Sequence, residues 1–411
     1  MSKRKTAISL KRILLPVVII SILTLGWFFY LDFFEIRNAY FDKHKAVPVD
    51  LIYDAVIPGM PDVRIVVDPE KIIFSGKPLY KEDKGFFKSI KYDKPEVNLL
   101  VLSGGGNDGA FGAGFLSGLT DSGKRPQYDI VTGVSTGALI APAAFLGPRY
   151  DNMLKDIYTK VTDKDVFGNN IQDLLLGKRP SFFSLKPLRK VLKNAITEDF
   201  INEIADEHAK GRRLYVLTAN IEARRAVIWD MGAIASYRSQ RALELFRSVV
   251  IASSSIPAVF PPTRFRVKVD GQTYDELHLD GSLGMQMFGA IPLIQEINGT
   301  TAKGRMFIIR NGKLYDDPAP TRPILAEIAK AAVAMQLTNQ AYMDLIRMYS
   351  LARTSDIDFN CVFIPQDFRE ASSGMFDPKY MSKLFALGRD IAMSKAPWRK
   401  TPLPDMEEQK R

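Results

Sequence analysis
The chain has 411 residues, 46% of them hydrophobic and 25% charged. This composition supports a substantial core and excludes a disordered chain. The formal charge of +10 is unevenly spread: Lys3, Arg4, Lys5, Lys11 and Arg12 carry half of it, and no basic stripe follows, which argues against a nucleic-acid partner.

Residues 1–12 form a basic flank. Residues 13–31, ILLPVVIISILTLGWFFYL, carry no charge and as a helix would span roughly 28 Å, close to the hydrocarbon thickness of a bilayer. Trp27 and Tyr30 sit near the far end of this run, and Asp32 and Glu35 follow it. The pattern predicts one transmembrane signal anchor, with a cytoplasmic N-terminus and the remainder on the periplasmic or extracytoplasmic side. The run ends in WFFYLDFF without a small-residue cleavage site, so it reads as uncleaved. A cleaved signal and an internal apolar helix are the alternatives. Residues 32–95 are punctuated by Pro48, Pro58, Pro61, Pro69, Pro78 and Pro95. They read as a tether and covering segment, with VRIVVD (63–68) the only strand.

From residue 96 short apolar runs alternate with longer amphipathic ones. VNLLVLS (97–103) reads as a strand and AFGAGFLSGLT (110–120) as a helix. YDIVTGVS (128–135) reads as a strand, followed by the helix TGALIAPAAFLG (136–147). RLYVLTANIE (213–222) and RAVIWDMG (225–232) read as strands that could pair. A helix ends near residues 242–254, and residues 263–282 read as a hairpin turning at Asp270-Gly271. Residues 305–312 read as a strand, 323–352 as a long helix, 359–365 as a strand and the segment after Pro378 as a closing helix. This alternation predicts an α/β domain over 96–395 with a mostly parallel sheet, then a polar tail over 396–411. The segment 151–212, containing LLLGKRPSFFSLKPL, reads as ordinary helix packing, with an apolar lid as the alternative. The single cysteine, Cys361, excludes an intrachain disulfide or thiolate metal site and reads as a buried apolar residue.

Two glycine motifs carry the chemistry. In LLVLSGGGNDGAFGAGFLSGL (99–119), Gly104, Gly106 and Gly109 spell G-x-G-x-x-G, a dinucleotide fingerprint. Such a site also needs an acid at the end of the second strand. Asp129 has the spacing but opens that strand, whose far end is GVSTG. The glycines are better explained as an oxyanion hole of backbone N–H donors from Gly104, Gly105 and Gly106. Gly133-Val134-Ser135-Thr136-Gly137 is a G-x-S-x-G between a strand and an apolar helix, the setting of a nucleophile elbow. A tight packing turn is the other reading.

Ser135 needs a base to become nucleophilic. The histidines are His44, His208 and His278; with none beyond His278, a triad in the order Ser-Asp-His is hard to build. His208, in a polar run, reads as a solvated helix residue. A carboxylate acting directly on the serine is simpler, and Asp280, at the end of the alternating strand in LHLDGSL, is the candidate. An Asp before Gly is otherwise an ordinary turn residue.

At these residues the chain resembles the patatin-like phospholipase family, whose motifs G-G-G-x-[RK]-G, G-x-S-x-G and D-G-[GA] occur in that order. Here they are Gly104 to Gly109, Gly133 to Gly137, and Asp280-Gly281-Ser282, and ASSSIPAVFPP (252–262) looks like the family's small-residue segment. The resemblance implies a three-layer α/β fold and a serine acyl hydrolase. Ser135 would be the nucleophile, Asp280 the base and the 104–106 loop the oxyanion hole, with no metal or organic cofactor. With the anchor, the expectation is a membrane-attached phospholipase A or esterase acting on phospholipid or other acyl esters. A non-catalytic lipid-binding scaffold, or an acyltransferase or thioesterase with the same dyad, are the alternatives. Two positions depart from the motifs: Asp108 stands where the loop has a cation, and Ser282 where the acid motif has Gly or Ala.

Overall fold
In a computed structural model that describes residues 45–67, 95–166, 168–169, 181, 183–289 and 303–402, the apolar runs form one nine-stranded sheet. In chain order the elements begin with β1 (Arg64–Val66), β2 (Glu96–Leu102), α1 (Gly109–Asp121), β3 (Ile130–Val134), α2 (Thr136–Leu146) and α3 (Asp151–Lys160). They continue with α4 (Lys186–Ala195), α5 (Glu198–Ala209), β4 (Arg213–Asn220), β5 (Arg225–Asp230), α6 (Met231–Ser236) and α7 (Gln240–Ser253). The last are β6 (Thr263–Val269), β7 (Gln272–Asp280), β8 (Lys303–Arg310), α8 (Leu325–Thr354), β9 (Asp358–Phe363) and α9 (Pro378–Met393). Helices α5, α7 and α9 start at a side-chain cap that the sequence offers: Thr197, Ser239 and Asp377 accept backbone N–H bonds there.

The strand order is β1-β5-β4-β3-β2-β8-β9, with the β6–β7 hairpin joined to β4 through β7. Alternate residues of the central strands enter different cores. Leu100, Leu102, Val131, Phe307 and Ile309 pack with Phe111 and Phe115 of α1 and Ile140 of α2. Leu99, Val101, Ile130, Met306 and Ile308 pack with Leu345 and Met348 of α8. A sheet buried on both faces by helices is the middle of three layers. Cys361 belongs to the second core, and burial pushes its thiol up to about 12.

Two expectations about the fold are corrected. The sheet is mixed, not mostly parallel. Strands β9, β8, β2, β3 and β4 are parallel neighbours, whereas β4–β5, β5–β1, β4–β7 and β6–β7 are antiparallel. The cause is local for β4–β5 and β6–β7, whose short connections force antiparallel pairing, whereas β5–β1 and β4–β7 are long-range pairings. The β6–β7 turn has Asp270 at φ 47° and Gly271 at φ 78°, both positive as a two-residue hairpin turn requires. The transmembrane helix is the second correction. No helix among the described residues is long and apolar enough to cross a membrane; α8 has the length but carries Glu327, Lys330, Asp344, Arg347 and Arg353. Residues 13–31, on which that expectation fell, lie outside the described residues.

The described part of the covering segment is built into the sheet. β1 pairs with β5, and Arg64 forms a buried ion pair with Glu276 of β7 while Arg64 Nη2 donates to Ala55 O at 2.6 Å. His278 joins this cluster, its Nε2 3.0 Å from Glu276 Oε2 and its Nδ1 2.8 Å from Thr218 Oγ1. Burial alone would raise the Glu276 carboxyl, but Arg64 and His278 together hold it down at about 2. His278 is thereby committed to a structural network. His208, expected in solvent, is half-buried on α5, 3.6 Å from Asp230 of β5.

One feature of the topology positions the site. β4 has β5 along one edge, and its other edge is shared. β3 pairs with it up to Val134 opposite Leu217, and β7 takes over with Asp280 opposite Thr218. β3 runs parallel to β4 and β7 antiparallel, so their C-terminal ends meet head to head. The residue after Val134 is Ser135.

Candidate active site
Ser135 sits in the turn from β3 to α2 at φ 54° and ψ −121°, a conformation that costs a non-glycine residue of order 1–3 kcal/mol and persists only where the surroundings enforce it. The enforcement is visible. A Cβ on Gly133 would stand 2.4 Å from Gly137 O, and one on Gly137 2.3 Å from Leu102 O. The turn is packed so closely that only glycine fits on either side of the serine. Ser135 precedes the first residue of α2, where the helix dipole favours negative charge.

Ser135 Oγ donates to Asp280 Oδ2 at 2.7 Å, across 145 residues of sequence. The other carboxylate oxygen accepts from Ser282 N–H at 2.9 Å. The small-residue run at the end of α7 grips both partners. Ser135 N–H donates to Ser253 Oγ at 3.0 Å, Ser254 Oγ to Ser135 O at 3.3 Å, and Asp280 N–H to Ser255 O at 2.9 Å. Burial raises the Asp280 carboxyl to about 6, against the bonds from Ser282 and Ser135 that favour its ionised form. A carboxylate in this state can accept a proton near neutral pH.

The glycine loop follows β2, beside β3. Gly104 lies against Ser135, whose Cβ is 3.3 Å from where a Gly104 Cβ would stand. Its N–H is already engaged, donating to Gln286 O at 3.1 Å. The amides of Gly105 and Gly106 have no acceptor among the described residues. A Cβ on Gly105 would stand 1.9 Å from Asn311 O, whereas one on Gly106, at φ 59°, would meet nothing within 4 Å.

Asp108 is half-buried and accepts from Tyr380 OH at 2.7 Å. Burial raises it to about 6, with Tyr380, Arg310 and Lys313 pulling the other way. The cation beside the loop is therefore not its own fifth residue but Arg310, from the end of β8. Burial lowers the Arg310 guanidinium to about 10, still charged at neutral pH.

Ser135 lines two cavities. One, of about 250 Å³, is apolar and walled by Leu139, Met153, Leu188, Leu192, Phe200 and Phe260 among others. Much of that wall comes from the segment 151–212, read from sequence as either packing or lid; its residues 170–180 lie outside the described residues. The second cavity, of about 920 Å³, is the more polar and holds Asp280, Asp108, Arg310, Lys313 and Lys330.

The structure thus brings Ser135, Asp280, Gly104, Gly105 and Gly106 together, with Gly133 and Gly137 shaping the turn. Sequence reasoning missed Arg310, Asn311 and Gln286. Gln286 is buried with Oε1 unpartnered among the described residues, and it lines the polar cavity. No motif marks these residues, because long-range packing alone brings them to the loop. No cluster of metal-binding residues occurs among the described residues.

Residues 100–289 match the model of the patatin-like phospholipase family, so that segment is similar to a patatin-like phospholipase domain. No curated protein gives a significant match. Among solved structures, the chain is similar to VipD from Legionella pneumophila at 15% identity and a TM-score of 0.38, covering 73% of this chain and 66% of that one. It is also similar to the complex of full-length SpcU with full-length ExoU from the type III secretion system of Pseudomonas aeruginosa, at 16% identity and a TM-score of 0.22, covering 62% of this chain and 53% of that one. The chain spans less than two thirds of either.

Proposed function
We propose that the protein is a serine hydrolase of lipid acyl esters, of phospholipase A or esterase type, working through Ser135 and Asp280. The observation that carries this reading is the 2.7 Å bond from Ser135 Oγ to Asp280 Oδ2 at the junction of an apolar and a polar cavity. Ser135 Oγ attacks the acyl carbonyl carbon as its proton passes to Asp280. The oxyanion forms against the free amides of Gly105 and Gly106, which need no reorganisation to receive it. Collapse breaks the ester C–O bond, and the leaving alkoxide takes the proton from Asp280. Water then attacks acyl-Ser135 with Asp280 again as base; the acyl–Oγ bond breaks, the proton passes from Asp280 to Ser135 Oγ, and the fatty acid leaves. The apolar cavity suits the acyl chain, and the polar one suits the alcohol part and the entering water.

The test is made with purified full-length protein and its Ser135→Ala variant. Each is treated with a fluorophosphonate probe, then with mixed phospholipid vesicles while fatty acid release is followed. Labelling and release by the wild type alone are expected, with a loss of roughly 10⁴-fold or more in the variant. A folded wild type that neither labels nor releases fatty acid overturns the reading. Adding alcohol acceptors separates hydrolysis from acyl transfer, which would give a new ester in place of free acid.

A further inference from the structure
The carbonyl of Gly104 is held by two donors, Ser103 Oγ at 2.7 Å and Arg310 Nη1 at 3.1 Å. Both holders are themselves fixed. Ser103 N–H donates to Ile309 O at 3.1 Å, Asn311 N–H to Ser103 Oγ at 2.8 Å, and Asn311 Nδ2 to Ser103 O at 2.9 Å. Arg310 is 8% exposed, its guanidinium folded so closely over Gly312 that a Cβ there would stand 3.0 Å from Cζ. The contact is built in, unlike that of a surface cation free to sweep.

A peptide unit is planar and trans, so its C=O and N–H point in opposite directions. Holding Gly104 O turns the N–H of the same unit, that of Gly105, the opposite way. That N–H has no acceptor among the described residues, and Gly105 shares the polar cavity with Ser135. A cation at the carbonyl end also polarises the unit and strengthens its N–H as a donor. We infer that Arg310 is a positioning residue for ester hydrolysis: through the Gly104 carbonyl it orients and polarises the Gly105 amide that receives the oxyanion. The inference rests on the Ser135 reading above. With an acid, Asp108, inside the loop, the positive charge that serves the loop comes from β8.

The experiment compares full-length wild type with Arg310→Gln and Arg310→Lys. Three readouts are taken: turnover of a short-chain ester, rate of fluorophosphonate labelling, and inhibition by a trifluoromethyl ketone, whose serine adduct carries the oxyanion. Removing one oxyanion donor outright costs about 10²–10³-fold in kcat. Loss of its orientation and polarisation in Arg310→Gln should lower kcat roughly tenfold to a hundredfold, with KM within about twofold. Affinity for the ketone should fall in proportion to kcat/KM, as for any group that acts on the transition state. Arg310→Lys, which keeps the charge, should recover part of both. A purely structural role would lower the fraction of labelled protein and leave kcat per labelled site and ketone affinity unchanged, which overturns the inference. Should Arg310→Gln fail to fold, Arg310→Lys decides: wild-type kcat and ketone affinity overturn the inference, and lowered values at constant KM support it. A wild type that does not label removes the Ser135 reading and this inference with it. Equal labelling and turnover by wild type and variants remove this inference alone.

Discussion

The turn after β3, Gly133 to Gly137, and the turn after β2, Gly104 to Gly106, leave the same end of two neighbouring parallel strands, and each leads to a helix. In the first, both glycines are demanded by space: their missing Cβ atoms would overlap backbone oxygens of Gly137 and Leu102. In the second the demand is split. Gly105 has no room, whereas Gly106 has ample room but a positive φ. The elbow is built to hold one side chain in a strained conformation, and the loop to leave backbone amides open. Similar composition thus serves opposite ends: one turn presents the Ser135 hydroxyl, the other presents backbone N–H groups.

Perturbing the carboxylate partner of Ser135 should separate the two turns most widely. On the proposed reading, Asp280→Asn removes the base but leaves the loop untouched, so turnover should fall roughly 10²–10⁴-fold. Stability should move in the opposite direction. The folded carboxyl titrates at about 6 instead of 3.8, so the native state holds its proton more tightly than the unfolded chain does. Stability is therefore lost as pH rises from about 4 to about 6. The neutral Asn should recover about 3 kcal/mol at pH 7. Thermal unfolding of the two proteins at pH 4 and pH 7 reads this directly: the difference should appear at pH 7 and vanish at pH 4.

Gly137→Ala forces a Cβ to within 2.3 Å of Leu102 O, a backbone atom that cannot swing aside. A loss of about 3 kcal/mol or more is expected in denaturant unfolding, with the activity lost alongside. If the elbow absorbed the methyl without loss, the claim that close packing enforces the Ser135 conformation would fail.

The pH profile tests which carboxylate matters. Asp280 and Asp108 both titrate at about 6 and both line the polar cavity. If Asp280 is the base, kcat/KM should fall about tenfold per unit below pH 6. Asp108→Asn should keep that acidic limb; its disappearance would transfer the role to the loop residue.

Gly106→Ala is the gentlest probe. Nothing crowds its Cβ, so the cost is that of a positive φ, about 1–2 kcal/mol of stability. Turnover should change little, since the amide remains. A collapse comparable to that of Gly137→Ala would erase the distinction between the two turns.

Much of the architecture is legible in the sequence. Each strand and helix from residue 96 onward that the alternation predicted is present within a few residues, because the central strands are buried on both faces and α5, α7 and α9 begin at sequence caps. The two glycine motifs stand at the strand ends where they were read. The mixed character of the sheet was less legible: the Asp270-Gly271 turn announced one antiparallel pair, but attachment of β7 to the edge of β4 has no local signature. Arg64 shows the same limit. It looked like part of a tether, yet it is buried against Glu276, 212 residues away.

The site divides in the same way. The sequence by itself determined a serine on a strand-to-helix turn, an acid at a strand end, a loop of open amides and a shortage of histidines for a conventional triad. These are local facts, written in backbone sterics and in composition. The tertiary structure decided that β3 and β7 meet head to head on one edge of β4, which puts Ser135 beside Asp280. It also decided that Ser253, Ser254 and Ser255 grip both, and that Arg310 holds the glycine loop from the end of β8. Such contacts depend on strand order and register, which are set by packing over the whole domain and leave no mark on any short stretch of chain.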